Sequence, residues 1–500
     1  MEKQVGDRGS VTDRGGPVID TALRRAFQAA LGPDAVLDDP LQLRTYECDG
    51  LTGFRRVPAL VLLPRDTEEV AAAVSLCAEA GVPFVARGAG TGLSGGAVPV
   101  AQGVVVSLAR MRRVLEFDPE DRRTVVEPGV TNAEISRLAA PHGLHYAPDP
   151  SSQVVCTIGG NVAENSGGAH CVKYGFTVHH VHALRVVLPD GSTVRLGGDA
   201  PETAGPDLRG LFIGSEGTLG IATEITVRLL RSPEGVRTLV ADFPTARQAG
   251  DAVGEIMAAG IVPAAVEMLD ALAIEACEAA VGAGYTRGTA AALVVELDGL
   301  DEECEEQFRD VVAVCRRQGT TKIRVAADAR ERALVWKGRK AAFAAMGRIS
   351  PDYFVQDGVV PRTRLAEALD RIAEMSKARG LRVANVFHAG DGNLHPLVLF
   401  DEKAGETERA ERLSRDIAEM CVELGGSLSG EHGIGLDKAC SMPRMFGEDD
   451  LAAMERLRKA FDPDGLSNPG KVLPTPRLCG EPPGRYRPHP LETAGVVERW

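Results

Sequence analysis

Three residues near the carboxyl end of the chain have the types and spacing of a metal site. His388 and His395 bracket the turn Asp391-Gly392-Asn393 in HAGDGNLHP (388–396), which predicts a hairpin with an imidazole at each end. Imidazoles that meet across paired strands can share a divalent cation. Glu431, in GGSLSGEHGIG (425–435), is the candidate third ligand. Two histidines and one carboxylate suit zinc first, and also manganese or iron.

Glu431 and His432 are adjacent, and a regular strand would turn them to opposite faces. The flanking Gly430, Gly433 and Gly435 permit an irregular backbone that points both inward. The simpler alternative is a polar hairpin and an exposed Glu-His pair. Histidine is rare here, at 10 of 500 residues, and together with the glycine brackets this rarity favours a site.

Three glycine-rich loops in the amino-terminal half could hold a phosphate-bearing ligand. They are RGAGTGLSGGAVP (87–99), PDPSSQVVCTIGGNVAENSGG (148–168) and GSEGTLGIATE (214–224). Backbone N–H groups in such loops can turn toward an anion. Each alone could be an ordinary surface loop, but three together favour a large phosphate-bearing cofactor. The first loop matches G-x-G-x-x-G, yet Pro99 and Gly103 interrupt it where a helix should open, which excludes Rossmann-type NAD binding.

Composition narrows the class of protein. The 56 Lys plus Arg and 70 Asp plus Glu leave a net charge of −14, which argues against nucleic acid as a partner. The sequence has neither an apolar run of membrane-spanning length nor a signal-peptide core, and we predict a cytoplasmic location without a transmembrane segment. Ten scattered cysteines with no C-x-x-C exclude a local zinc-ribbon or iron–sulfur spacing.

The elements that would position these residues fall into two domains. Asp66 should cap a helix over 68–80, and Asp190-Gly191 should close a hairpin. A strand is expected over 221–230, a helix over 330–348 and a strand over 353–360. The predicted organisation is a flexible leader at 1–20, a helical segment at 21–55, a first domain at 56–232, a second at 233–473 and a disordered tail at 474–500.

The glycine loops, with the preceding PRDTEEVAAAVSLCAEAGVPFVA (64–86), resemble the FAD-binding domain of the vanillyl-alcohol-oxidase/p-cresol-methylhydroxylase superfamily over about 56–232. The resemblance implies an α+β fold: a two-subdomain FAD-binding domain of the p-cresol-methylhydroxylase type and a C-terminal α/β substrate (cap) domain with an antiparallel sheet. Members with covalent flavin carry a histidine in the first glycine loop. Ala89 and its neighbours offer none, so FAD is expected to bind non-covalently.

The resemblance also implies which residues surround FAD. Three groups are expected, one for each part of the cofactor. The pyrophosphate would be cradled by Gly88, Gly90, Thr91 and Gly92. The flavin and ribityl side would be lined by Asp149, Ser152, Gly159, Gly160, Asn161, Ala163 and Asn165. The adenosine side would have Glu216, Gly217 and Ile221.

The carboxyl-terminal half resembles the FAD-linked oxidase domain of D-2-hydroxy-acid dehydrogenases, closest to glycolate oxidase flavin subunits and D-lactate dehydrogenases. The matching motifs are RTYECDG (44–50), WKGRK (336–340), DYFVQDGVVPR (352–362), HAGDGNLHP, GEHGIG and NPGK (468–471). The resemblance implies oxidation of glycolate or D-lactate to the 2-oxo acid by hydride transfer to flavin N5, with electrons passing to an acceptor other than NAD. D-2-hydroxyglutarate dehydrogenases commonly carry Asn where this chain has Leu397, which favours a small substrate.

Roles follow from what this oxidation needs. A cation held by His388, His395 and Glu431 would lower the pKa of the substrate hydroxyl, and His432 is the candidate general base. Arg339 would clamp the substrate carboxylate, although a solvated helix arginine is the alternative. By resemblance, Asn468 would hydrogen-bond the flavin.

Several alternatives remain at this stage. They are a D-2-hydroxyglutarate-type dehydrogenase, a non-redox relative of the alkyl-glycerone-phosphate-synthase kind, and a binding subunit whose flavin is only structural. The electron acceptor is open. It could be partner chains carrying iron–sulfur centres, through which the chain could also associate peripherally with a membrane. It could equally be a quinone, a cytochrome or an electron-transfer flavoprotein.

Overall fold

A computed structural model describes residues 19–200 and 205–474, and the structural statements that follow concern these ranges. Nearly all of the leader predicted at 1–20 and of the tail predicted at 474–500 lies outside them. The described chain is an α+β fold with antiparallel sheets, which confirms the predicted fold class. None of the helices in these ranges combines the length and apolarity needed to cross a bilayer.

The amino-terminal half contains short strands connected by helices and by the long glycine loops. Its helices are α1 (Thr21–Leu31), α2 (Pro40–Arg44), α3 (Thr67–Ala80), α4 (Asn132–Ala139), α5 (Ile158–Glu164), α6 (Cys171–Tyr174) and α7 (Leu208–Phe212). Its strands are β1 (Val36–Leu37), β2 (Leu60–Leu62), β3 (Phe84–Arg87), β4 (Val104–Ser107), β5 (Val114–Asp118), β6 (Arg123–Val126), β7 (Leu144–His145), β8 (Val181–Val187), β9 (Thr193–Gly197), β10 (Ile221–Arg228) and β11 (Leu230–Arg231).

These strands form two main sheets that direct the glycine loops toward one region. The first has the order β1-β2-β4-β3. Its parallel strands β2, β4 and β3 consist mostly of apolar residues, because they are buried against α1 and α3. The second is antiparallel, with the order β5-β6-β10-β8-β9. Asp66 caps α3 as predicted, accepting the N–H of Glu69 at 2.9 Å.

The carboxyl-terminal half alternates longer strands and helices. Its helices are α8 (Ala246–Ala258), α9 (Ala271–Ala280), α10 (Asp301–Arg317), α11 (Ala329–Lys340), α12 (Ala342–Ala345), α13 (Leu365–Arg379), α14 (Thr407–Glu423) and α15 (Glu448–Phe461). Its strands are β12 (Gly235–Phe243), β13 (Ala265–Asp270), β14 (Ala291–Gly299), β15 (Lys322–Val325), β16 (Asp352–Val355), β17 (Gly358–Val359), β18 (Arg382–His388) and β19 (Asn393–Phe400).

One antiparallel sheet organises this half, in the order β15-β12-β14-β13-β18-β19-β16, with β17 also paired to β19. The alternation of side chains along each strand gives the sheet two buried faces. One face packs with α8, α10, α13 and α14. The other packs with α9, α11 and α12. The second face carries the candidate site.

Three predicted elements differ from the structure. The strand expected over 221–230 leaves its sheet after Arg228, and β11 pairs with β7 instead. The helix expected over 330–348 is interrupted at Ala341, between α11 and α12. The strand expected over 353–360 is split into β16 and β17, because Asp357 turns away to bind a distant loop.

Charged side chains join the two halves beside the site. The His170 ring lies 3.0 Å from Asp149 through Nδ1 and 3.2 Å from Glu296 through Nε2. Lys340 Nζ approaches Asp149 at 3.3 Å, and the Trp336 indole N–H donates to Glu296 at 2.6 Å. The Asp149 carboxylate therefore holds residues from both halves.

Candidate active site

The predicted histidine hairpin is present, with both imidazoles on the face of the sheet covered by α9, α11 and α12. His388 ends β18 and His395 lies on β19, opposite Val386. The two rings are buried, with centroids 4.9 Å apart. Their Nε2 atoms lie 3.2 and 3.1 Å from the same oxygen, Glu431 Oε1. The three residues thus offer ligand atoms within 4.8 Å of one another.

The far side of each ring is held so that Nε2 points inward. His388 Nδ1 contacts Glu267 Oε1 at 2.7 Å, and His395 Nδ1 contacts the Gln356 carbonyl at 3.1 Å. Carboxylate or carbonyl contacts of this kind orient metal-binding imidazoles in proteins. His395 Nε2 is buried, and although it lies 3.1 Å from Glu431 Oε1, it makes no hydrogen bond of regular geometry to the described residues. An orphaned inward nitrogen beside a carboxylate and a second imidazole fits a divalent cation.

Asp357 explains how adjacent Glu431 and His432 both reach the site. Its buried carboxylate accepts the backbone N–H groups of Gly430, Glu431 and His432 at 3.1, 3.2 and 2.9 Å. Gly433 follows with φ +85°, in the left-handed region that favours glycine. Burial alone would raise the pKa of Asp357, but His432 and Lys438 hold that pKa well below its usual range.

His432 packs face to face on His395, with centroids 5.0 Å apart and an interplanar angle of 15°. Burial lowers the pKa of His432 to about 4, so the ring is neutral near pH 7. Asp357, His395 and His432 form a second cluster of ligand type. The Glu431 cluster suits a cation better, because three N–H groups and the Lys438 ammonium, 3.4 Å away, already engage Asp357.

Arg339 is buried on α11, not solvated as in the alternative interpretation. Its side chain is 3% exposed, and Nε donates to Glu267 Oε2 at 2.6 Å. Its Nη2 is buried without a hydrogen-bond partner among the described residues. Glu267, which is fully buried, thus holds both Arg339 and His388.

Sequence reasoning missed Glu267 and Asp357. Glu267 is a lone charge within the apolar strand AAVEML (264–269), and this isolation is the signal that could have indicated a buried partner. Asp357 has a weaker signal, as an acidic residue before a glycine in an otherwise apolar segment.

The glycine loops enclose a cavity that reaches the loop bearing Glu431 and His432. Both of these residues line it, as does Phe343 from α12. The predicted cofactor residues that line the same cavity come from all three loops. They are Gly88, Gly90, Thr91, Gly92, Ser152, Gly160, Asn161, Ala163, Glu216 and Gly217.

Two other predicted cofactor residues act as bridges in the structure. The Asn468 amide donates to the carbonyls of Gly96 and Glu216 at 2.9 and 2.6 Å, which occupies both of its hydrogens. It joins two glycine loops, where a hydrogen bond to flavin was expected. Asp149 is engaged by His170 and Lys340 at the boundary of the two halves.

Three more predicted cofactor residues contact protein and do not line the cavity. A Cβ on Gly159 would lie 2.6 Å from Pro128, so this glycine permits close packing of α5. Asn165 Oδ1 accepts the N–H of Val178 at 2.9 Å. Ile221 is buried in β10.

Glu216 was expected on the adenosine side, but its carboxylate meets the other half of the molecule. It accepts the N–H groups of Ile434 and Gly435 at 2.7 and 2.8 Å. The loop 430–435 is therefore held by Asp357 from one side and by Glu216 from the other.

Comparisons with known proteins agree with this arrangement. Residues 58–197 match the family model described as FAD binding domain, and residues 232–472 match FAD linked oxidases, C-terminal domain. The chain is 50% identical to "Glycolate oxidase subunit GlcD" of Escherichia coli, over 89% of this chain and 90% of that one. It is 37% identical to the Bacillus subtilis protein of the same name (88% and 94%). It is 34% identical to "D-lactate dehydrogenase [cytochrome], mitochondrial" of Arabidopsis thaliana (85% and 74%).

Solved structures show the same fold at low identity. p-Cresol methylhydroxylase with substrate bound has a TM-score of 0.76 at 19% identity, covering 90% of this chain and 96% of that one. Alkyldihydroxyacetonephosphate synthase has a TM-score of 0.71 at 20% identity (92% and 87%). These two likenesses concern the fold alone. The matches to both domain models and the identity to full-length relatives establish that the chain belongs to the FAD-linked oxidases.

Proposed function

We propose that the chain oxidises a small 2-hydroxy acid, glycolate or D-lactate, to the 2-oxo acid with non-covalently bound FAD. The observation that carries the proposal is that Glu431 and His432 line the same cavity as the three glycine loops. The relatives named above are a glycolate oxidase subunit and a D-lactate dehydrogenase. FAD, when bound, accepts the hydride from the carbon bearing the hydroxyl.

Arg339 is suited to the carboxylate of the substrate. Its Nη2 is a buried donor without a partner in the described residues, while Nε is fixed by Glu267. A guanidinium held on one edge presents its remaining donors in a rigid fork, which a carboxylate can accept with two oxygens.

His388, His395 and Glu431 are suited to hold a divalent cation, with zinc as the first candidate. A bound cation supplies a Lewis acid that lowers the pKa of the substrate hydroxyl. The residues favour this role because both Nδ1 atoms are occupied and both Nε2 atoms face Glu431. Leu397 is fully buried in the apolar core against this face, and it offers a dicarboxylate no polar group.

His432 is the proposed general base. Its ring is neutral near pH 7, lines the cavity and stacks on His395, so it can accept the hydroxyl proton beside the proposed cation. The electrons then pass to an acceptor other than NAD. Because the bacterial relatives are named as subunits, partner chains with iron–sulfur centres are one proposed acceptor, and a quinone, cytochrome or electron-transfer flavoprotein is the other.

The test is anaerobic bleaching of the flavin absorbance in purified holoprotein by glycolate, D-lactate, L-lactate and D-2-hydroxyglutarate. Glycolate or D-lactate should bleach the flavin fastest. Preference for D-2-hydroxyglutarate would support the dicarboxylate alternative, and no bleaching by any acid would contradict the proposal. Chelation should abolish bleaching, and zinc, manganese or iron should restore it. If chelation has no effect, the metal assignment is wrong.

A further inference from the structure

Glu164, the last residue of α5, places a carboxyl group in the cofactor cavity. It lines the cavity, and its Oε2 is buried without a hydrogen-bond donor in the part of the chain described. A buried polar atom without a hydrogen-bond partner is unfavourable. Oε2 must therefore accept a hydrogen bond from a bound ligand, or carry a proton and donate it to an acceptor.

Its acidic neighbour Glu216 is well provided with hydrogen-bond donors, because each of its carboxylate oxygens accepts a backbone N–H. The two carboxyl groups border the same backbone. A Cβ on Gly433 would lie 2.4 Å from Glu164 Oε2 and 2.8 Å from Glu216 Oε1. A Cβ on Gly96 would lie 2.8 Å from Glu164 Oε1 and 3.4 Å from Glu216 Oε2.

Two neighbouring buried carboxyl groups do not both ionise readily. Burial raises the pKa of Glu216 to about 7, but the N–H donors of Ile434 and Gly435 oppose that rise and favour its ionised form, which leaves the proton to Glu164. Burial and the charges of Glu216 and Asp49 raise the pKa of Glu164 well above its ordinary value, while Lys471 and Lys438 oppose that rise.

FAD carries an anionic pyrophosphate and presents carbonyl, ring-nitrogen and phosphate acceptors. An ionised Glu164 would repel such a ligand, whereas a neutral carboxyl can donate to it. We propose that Glu164 is a neutral carboxylic acid that donates a hydrogen bond to an acceptor atom of bound FAD. The proposal rests on the FAD binding within the proposed function and not on its substrate.

The test measures FAD affinity by titrating the full-length apoprotein and following flavin fluorescence from pH 6 to pH 9. Wild-type affinity should fall as pH rises, because ionisation removes the donor. E164Q, which keeps a neutral donor, should bind FAD about as tightly as wild type at pH 6 and lose the pH dependence. E164A should bind about tenfold more weakly at pH 6. E302Q, at an exposed glutamate on α10, is the charge-matched control and should follow wild type.

The proposal is overturned if wild-type affinity falls on acidification, because the ionised carboxylate would then be the binding form. It is also overturned if E164A binds like wild type or E164Q binds like E164A. Circular dichroism of each apoprotein reports folding, and if E164A does not fold, the pH profiles of wild type and E164Q decide. No hydroxy acid is present, so failure of the substrate assignment cannot change the outcome.

Discussion

Replacement of Glu267 by glutamine tests whether one buried carboxylate supports both the proposed metal site and the substrate arginine. Each oxygen has a separate partner: Oε1 lies 2.7 Å from His388 Nδ1, and Oε2 accepts from Arg339 Nε at 2.6 Å. Glutamine offers one oxygen and one NH₂ group. When a cation occupies His388 Nε2, Nδ1 must carry the ring hydrogen, and in either orientation of the amide one contact is then donor against donor. The change also removes the counter-charge of a guanidinium that is 3% exposed.

Loss of one partner from a buried ion pair costs about 3–5 kcal/mol. E267Q should therefore lower the free energy of unfolding by about that amount in urea with chelator present, where no cation contributes. The metal affinity should fall about 10–100-fold, as for other groups that orient metal-binding imidazoles. A competition titration with a chromophoric chelator measures this affinity.

E305Q is the matched control, because Glu305 pairs with Arg237 at 2.6 Å on the surface, with 54% of its side chain exposed. Its effect on stability should be about 1 kcal/mol or less. In an E267Q/R339M double variant, much of the lost stability should return, since no unpaired buried charge remains. The reasoning is refuted if E267Q unfolds within 1 kcal/mol of wild type and binds metal equally well.

Three further expectations follow from the same geometry. R339K should raise KM for the hydroxy acid about tenfold or more without changing FAD content, because lysine lacks the planar fork; an unchanged KM would remove the carboxylate role. G433A should lower flavin content and the unfolding midpoint, because its Cβ would meet Glu164 and its φ is +85°. The control G347A, whose Cβ would have nothing within 4 Å, should leave both quantities unchanged. Burial lowers the pKa of His170, but the carboxylates of Asp149 and Glu296 outweigh burial and raise that pKa to about 10. The stabilisation from protonated His170, of order 5 kcal/mol, is thus complete below about pH 6.5 and lost as pH rises to about 10, and H170Q should lack this slope in unfolding measurements.

The parts of the site that depend on local chain geometry were predictable from the sequence. A Gly-containing turn between two strands places His388 near His395 whatever else the chain does. Glycines around Glu431 and His432 allow both side chains to turn inward, and the structure shows this. The glycine loops were likewise visible as local runs, and ten of their predicted residues line the cavity.

What the sequence could not show are contacts between residues far apart in the chain. Glu267 meets Arg339 and His388 across 72 and 121 positions, and no local pattern indicates which buried charges will pair. The same holds for Asp357, which interrupts a strand to bind a loop 73–75 positions away. For a related reason the sequence could not show that Glu216 and Asn468 form hydrogen bonds to other loops of the protein, and their implied roles toward FAD stay predictions.

The loop 430–435 shows why both halves of the molecule are needed for one site. Asp357, from the carboxyl-terminal half, holds the N–H groups of residues 430–432, and Glu216, from the amino-terminal half, holds those of Ile434 and Gly435. The contacts of Asp357 fix Glu431 and His432 within the carboxyl-terminal half. The contacts of Glu216 fix the same loop against the FAD cavity. The negative charge of the whole chain is therefore no obstacle to an anionic substrate, because the charges that matter are these local ones. Of the carboxyl groups that line the cavity, Glu431 contacts two imidazoles, Glu216 accepts two backbone N–H groups, and Glu164 is proposed to carry a proton.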